Sequence, residues 1–138
     1  MATIEVTDTN FADTVTTGTV LLDFWAEWCG PCKAFGPVFD AASEKHPEIV
    51  FGKIDTESQQ DLAAAFQIRS IPTLMVFRDG IMLGALPGAL PPDGLEELIR
   101  QVGSLDMDAV RREIAEAEKA EQAEKEKAQR DEPRIIIP

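Results

Sequence analysis

Apolar residues occur along the chain in short blocks that alternate with polar ones, up to about Gly103. Five of these blocks predict strands, because each is rich in apolar residues and bounded by turn or polar residues. Asp79 and Gly80 separate the last two blocks and favour a tight turn, so these two strands are expected to form an antiparallel hairpin. The predicted strands are residues 4–7, 20–25, 49–55, 73–78 and 81–86.

Between the strands, apolar residues recur every three or four positions, as on the buried face of a helix. One such helix is predicted at residues 31–45, where Pro37 removes a backbone hydrogen bond and should bend the axis. Two more are predicted at residues 58–66, with Ser58 as N-cap, and at residues 93–102. This alternation predicts an α/β domain with a central mixed β-sheet flanked by α-helices.

Residues 104–138 depart from that alternation. Ser104 follows Gly103 as a possible new N-cap, and four apolar residues then recur at helical spacing: Met107, Val110, Ile114 and Ala117. Residues 113–130 consist almost entirely of good helix formers, with several Glu-to-Lys spacings that stabilise an exposed helix. We therefore predict a domain at residues 1–103 and a charged helical extension at residues 104–138.

The role of the extension is open from sequence. It can be a solvated single helix, half of a weak coiled coil, or an arm that mediates self-association or partner binding. Residues 135–137, an apolar tripeptide between Pro133 and Pro138, could also add as a strand to a neighbour.

The composition and net charge of the chain limit the classes of partner and the compartment that are expected for it. The chain has 138 residues, of which 44% are hydrophobic, which is enough for one full core. A net charge of −12 argues against nonspecific nucleic-acid binding and against docking on anionic lipid, so proteins are the expected partners. We find neither a secretory signal pattern nor an apolar run of membrane-spanning length, and therefore expect a cytoplasmic protein.

The two cysteines of the chain, Cys29 and Cys32, lie where the helix after the second strand should begin. The unpaired N–H groups and the dipole at a helix N-terminus favour a thiolate, so Cys29 should be a good nucleophile. The three-residue spacing puts the sulfur of Cys32 on the same helical face, from which it can attack a mixed disulfide at Cys29. This pattern predicts thiol-disulfide exchange.

Other roles for the pair fit less well. A structural disulfide that closes a four-residue ring would contribute about 2 kcal/mol, against about 4.7 kcal/mol for a 100-residue loop. Structural zinc needs four ligands, and His46 is the only additional thiol or imidazole in the sequence. Attachment of a c-type haem would need His after Cys32, where Lys33 stands.

Two charged residues interrupt apolar strands. If the strand of Asp23 is central, desolvation would raise the pKa of its carboxyl, which could then exchange a proton with a cysteine near neutral pH. Equally, Asp23 could be hydrogen-bonded in the core or face solvent. Lys53 could lie beside Asp23 and tune its carboxyl electrostatically, or extend its ammonium to water.

Most X-Pro bonds are trans, but a cis bond before Pro72 would leave the backbone of Ile71 free to pair with a substrate.

Several motifs together resemble the thioredoxin family, and the resemblance covers residues 1 to about 103. They are the run at residues 25–33, Asp23, Lys53 with Asp55, and residues 71–73 and 87–89. The resemblance implies a thioredoxin fold in which Cys29 attacks, Cys32 resolves and Asp23 assists proton transfer to or from Cys32, with Lys53 beside it and Pro72 cis.

The resemblance also implies a flat apolar surface for an extended substrate segment, formed by Trp28, Gly30, Pro31, Ile71, Pro72, Gly88 and Ala89. It implies no bound cofactor besides the redox-active Cys29–Cys32 disulfide, and re-reduction by an NADPH-dependent flavoprotein, thioredoxin reductase. The dipeptide Gly30-Pro31 resembles that of reductants more than that of disulfide oxidants.

Three functions follow from these patterns. The first is a cytoplasmic thioredoxin-like reductant of oxidised protein substrates, which acts by dithiol-disulfide exchange. The second is a binding or chaperone-like module of the same fold, whose C-terminal helix recognises the partner. The third is an oxidant or isomerase of protein disulfides, which the expected cytoplasmic location and Gly30-Pro31 disfavour.

Overall fold

A computed structural model describes residues 2–131 and places ten regular elements in them. The contacts of the chain separate two compact units, one that ends at Gly103 and one that begins at Ser104. In chain order the elements are β1 (Thr3–Glu5), α1 (Phe11–Val15), β2 (Thr19–Trp25), α2 (Gly30–Lys45), β3 (Val50–Asp55), α3 (Gln60–Ala65), β4 (Thr73–Arg78), β5 (Ile81–Pro87), α4 (Pro92–Gly103) and α5 (Met107–Asp131).

The first unit contains one five-stranded mixed sheet in the order β1-β3-β2-β4-β5. Strands β1 and β2 run parallel to β3, whereas β4 is antiparallel to both β2 and β5. The predicted mixed sheet and the predicted hairpin are confirmed. Asp79 and Gly80 both have positive φ, 53° and 83°, as a tight two-residue turn between right-twisted strands requires.

Alternate residues of β2 point to opposite faces of the sheet and enter two separate cores. On one face, Leu21 packs with Phe35 and Phe39 of α2 and with Leu95 of α4. On the other face, the buried side chains of β2 pack against residues at α1 and α3, and the group includes Val20, Leu22, Phe24, Phe11, Leu62 and Phe66. Helices therefore cover both faces of β2, and its central residues are shielded from water.

Two predicted helix caps are wrong, because nearby aspartates make the relevant hydrogen bonds. The hydroxyl of Ser58 donates to the carboxylate of Asp55 at 3.3 Å, and α3 begins only at Gln60. At the start of α5, the carboxylate of Asp106 accepts from two backbone N–H groups at 3.0 and 3.2 Å, so Asp106 and not Ser104 caps the helix.

Helix α1 was not predicted, because its five residues are too few to show a helical period.

The described part of the second unit contains α5, a helix of 25 residues, so the predicted C-terminal helix is present. Its side chains are exposed from Arg111 to Asp131, and Asp108 pairs with Arg111 at 3.0 Å. The strand predicted for residues 135–137 lies outside the described residues. No helix within residues 2–131 combines the length and the apolar character that crossing a membrane requires.

Candidate redox site

The two cysteines lie at the N-terminus of α2 and form a disulfide. Cys29 occupies the N-cap position, and its Sγ accepts a hydrogen bond from the backbone N–H of Cys32 at 3.2 Å. Gly30 and Pro31 occupy the first helical positions, where the missing N–H of proline costs no helical hydrogen bond. The sulfur of Cys29 is thus held where the positive end of the helix dipole stabilises a thiolate.

The loop before β4 lies against the disulfide. The Sγ of Cys29 is 3.6 Å from the carbonyl oxygen of Ile71, and the bond between Ile71 and Pro72 is cis. The backbone N–H of Gly88 donates to the carbonyl of Pro72 at 2.8 Å, which brings the segment after β5 to the same place. Residues far apart in sequence, at positions 29, 71–72 and 88–89, are therefore brought together.

The disulfide itself is shielded, since Cys29 and Cys32 are only 4% and 5% exposed. In contrast, the neighbouring Trp28 is 70% exposed, and Gly30, Pro31, Gly88 and Ala89 are exposed as well. An apolar side chain so exposed beside a reactive sulfur is suited to contact with another protein.

Trp28 is oriented by a residue that the sequence did not indicate. Its indole N–H donates to the carboxylate of Glu57 at 2.6 Å, across the turn that follows β3. A groove of about 170 Å³ borders the same side of the ring, and its lining residues are Trp28, Thr56, Ala63, Ile68, Arg69, Ser70 and Ile71.

Asp23 lies in the centre of β2 and is 1% exposed. Neither carboxylate oxygen has a hydrogen-bond partner within the described part of the chain. Burial raises the pKa of Asp23 to about 7, against the opposing effect of the Lys53 ammonium; the negative charge of Asp40 raises it further. A carboxyl with such a pKa can take up or release a proton near neutral pH.

Lys53 is in register with Asp23 on the adjacent parallel strand, so both side chains leave the same face of the sheet. Its ammonium lies 5.4 Å from the ring centroid of Trp25, a cation–π arrangement. A Cβ added at Gly36 would stand 3.9 Å from this nitrogen, so α2 passes close above it. The half-buried Lys53 is thus held between the sheet and α2, on the same face as Asp23.

Within residues 2–131, no three His, Cys, Asp or Glu side chains are grouped so that they could hold a metal ion.

The family model described as Thioredoxin matches residues 2–101. "Putative thioredoxin 2" of Streptomyces coelicolor is 56% identical over 116 residues, which cover 83% of this chain and 87% of that protein. A thioredoxin of Staphylococcus saprophyticus is 41% identical over 102 residues, 73% of this chain and 98% of its own length.

A similar solved structure is that of a mutant thioredoxin from Halobacterium salinarum, with a TM-score of 0.69 and 34% identity over 75% of this chain and 92% of that one. The alignment with the Streptomyces protein is longer than the region matched by the family model, so it extends into the sequence beyond the domain.

Proposed function

This chain belongs to the thioredoxin family and has its protein-disulfide oxidoreductase activity, and from that premise we propose how its residues share the reaction. In the first step the thiolate of Cys29 attacks one sulfur of a substrate disulfide. The substrate S–S bond breaks, its other sulfur leaves as a thiolate that takes a proton from solvent, and a mixed disulfide to Cys29 remains. The supporting observation is the position of Cys29 at the N-cap of α2.

In the second step Cys32 resolves the mixed disulfide. Its thiol gives a proton to the carboxylate of Asp23, and its sulfur then attacks the Sγ of Cys29. The bond between Cys29 and the substrate breaks, and the released substrate thiolate is protonated. The products are a reduced substrate and the Cys29–Cys32 disulfide. The pKa of Asp23, about 7, supports this role because a substantial fraction of the carboxyl is then ionised at neutral pH.

We assign substrate binding to the exposed surface around the disulfide. An extended substrate segment would lie across the exposed residues Trp28, Gly30, Pro31, Gly88 and Ala89 and pair with the backbone of the half-buried Ile71. Pro72, which the resemblance places on this surface, is itself buried. The contact of Ile71 with Cys29 supports this assignment, because a strand paired there would present its disulfide to the attacking sulfur.

The cycle also needs a source of electrons and a reducing compartment. The redox-active disulfide is itself the electron carrier, without a bound cofactor, and an NADPH-dependent thioredoxin reductase restores the dithiol after each cycle. A reducing cytoplasm is the compartment in which such a cycle runs.

Reduction of insulin disulfides, driven by NADPH and a thioredoxin reductase, tests the proposal. We expect turnover by the native chain and none by Cys29→Ser. Cys32→Ser should form the mixed disulfide but release no product, so that a covalent adduct with insulin accumulates. Undiminished turnover by Cys29→Ser would refute the assignment. A parallel assay with dithiothreitol as reductant separates a failure of the supplied reductase from a failure of the chemistry.

A further inference from the structure

Gly36 and Asp40 are one helical turn apart on α2 and therefore share a face of that helix. Because the Cβ position of Gly36 is 3.9 Å from the Lys53 ammonium, this is the face that passes over Lys53. Asp40 follows on the same face. A carboxylate on α2 is thus placed on the side of the sheet from which Asp23 and Lys53 project.

Asp40 has an unusual environment for a half-exposed residue. Its Oδ1 is buried and has no hydrogen-bond partner within residues 2–131, a property it shares with both carboxylate oxygens of Asp23. Buried oxygens of this kind are rare in native proteins and call for an explanation, of which a role in chemistry is one. The only buried side-chain polar atoms found without a partner in the described residues thus belong to these two aspartates.

Among the charged groups near Asp23, Asp40 differs from the others in the element that carries it. Lys53 faces Asp23 from β3, and Leu74, its neighbour on β4, is uncharged. Two further carboxylates, Glu5 and Asp55, line a cavity of about 350 Å³ together with Lys53 and Trp25, on the β1 side of β3. Asp40 is the carboxylate that acts on Asp23 from the helix that carries both cysteines.

We propose that Asp40 is a positioning residue of the exchange reaction, whose charge opposes ionisation of Asp23 and so controls how readily Asp23 accepts the proton of Cys32. This inference rests on the proposed function, in which Asp23 is that proton acceptor. Lys53 favours the ionised form of Asp23 and Asp40 favours the neutral form. The opposition of the two groups keeps Asp23 able to titrate near neutral pH.

The direct test is the side-chain carboxyl titration of Asp23, followed by carbon NMR in the full chain. In Asp40→Asn we expect the pKa of Asp23 to fall by roughly half a unit or more, as removal of a nearby like charge requires. Glu44→Gln is the matched control, because Glu44 is an exposed acid one turn further along α2. Asp40→Ser replaces Asp40→Asn if the amide perturbs folding.

A second readout is the pH profile of single-turnover oxidation of the reduced protein by a peptide disulfide, at peptide concentrations high enough that the second step, attack by Cys32, limits the rate. Its rising limb should move to lower pH in Asp40→Asn, so that the rate at pH 6 increases about two- to three-fold for a half-unit shift. An Asp23 titration that is the same in Asp40→Asn as in Glu44→Gln overturns the inference. A shifted titration with an unmoved rate profile overturns the reactive role of Asp23 while it leaves the coupling of the two aspartates standing.

Discussion

The domain that ends at Gly103 and helix α5 are stabilised in different ways. In the domain, β2 is covered on both faces, and aromatic rings pack in the core, such as Phe39 against Phe51 with centroids 5.1 Å apart. In α5, every side chain from Arg111 to Asp131 is exposed, and local contacts form within the helix, such as that between Asp108 and Arg111. Tertiary burial therefore dominates in the first unit, and helix propensity with i,i+3 and i,i+4 pairs in the second.

This difference determines which of the two units can hold a buried, reactive carboxylate. A buried carboxylate without a hydrogen bond, such as Asp23, is costly, and only a well-packed core can tolerate it. An exposed helix has no low-dielectric interior, so its many charged groups stay fully solvated. The redox site lies in the first unit for this physical reason.

The largest difference between the two units is expected when an apolar side chain is replaced by alanine. Phe39→Ala removes a fully buried ring and should lower the free energy of unfolding of the domain by about 3–5 kcal/mol. Ile114→Ala, at a position 37% exposed on α5, should change it by less than about 0.5 kcal/mol. Urea unfolding followed by tryptophan fluorescence measures both. Equal losses would contradict the description of α5 as a solvated helix.

The two units should also differ in how a carboxylate in each makes the free energy of unfolding depend on pH. The pKa of Asp23 rises from 3.8 in the unfolded chain to about 7 in the folded domain, so the folded state keeps a proton that the unfolded state loses. This stabilising contribution is present below pH 3.8 and is lost as the pH rises toward 7. Asp23→Asn removes this pH dependence, so its free energy of unfolding should rise relative to that of the native chain by about 4 kcal/mol between about pH 4 and 8.

Glu116→Gln on α5 is the control for Asp23→Asn, because it removes one exposed carboxylate. Its free energy of unfolding should follow that of the native chain at each pH. Chemical denaturation at pH 4, 6 and 8 gives the comparison. If Asp23→Asn and Glu116→Gln have the same pH profile, Asp23 is not desolvated.

A smaller contrast compares two alanines in helices. Ala42→Gly in α2 should destabilise the domain by about 1–2 kcal/mol, through lost helix propensity and a lost buried methyl group. Ala120→Gly in α5 should lower helical circular dichroism without a change in the thermal midpoint of the domain. A shared drop in the midpoint would show that the two units unfold together.

The smallest effect is expected from removal of the extension. A chain that ends at Gly103 should retain insulin reduction within about two-fold of the full chain, because none of the groups assigned to the chemical steps lies beyond that residue. The assay is the coupled NADPH oxidation described above, at several insulin concentrations. A large rise in KM with unchanged kcat would instead assign substrate recognition to the extension.

Most of the fold was predictable from sequence because the strands are nearly continuous apolar runs. Residues 73–78 were predicted with the bounds of β4, and the β2 and β3 bounds differ by one residue. Cap residues were less predictable, since Ser58 and Ser104 compete with aspartates nearby and the outcome depends on the geometry of each turn.

The candidate site was predictable where its residues form a local motif, and not where it depends on contacts between distant elements. Cys29 and Cys32 are adjacent to a recognisable helix start, and Asp23 is conspicuous in an apolar strand. Asp40 and Glu57 have no such pattern. Asp40 is placed near the site because α2 crosses close to Lys53, and Glu57 because the turn after β3 reaches Trp28. The periodicity of the sequence reveals neither of these contacts.

The edge strand β5 affects how two copies of the protein would associate. It consists of residues without charge, and Met82 and Leu86 on it are 45% and 38% exposed. Apart from Pro87 at its end and a bulge in its pairing with β4, nothing on the strand itself discourages sheet-to-sheet association. The net charge of −12 opposes the approach of two such edges, and this repulsion disappears near the isoelectric point of about 4.4.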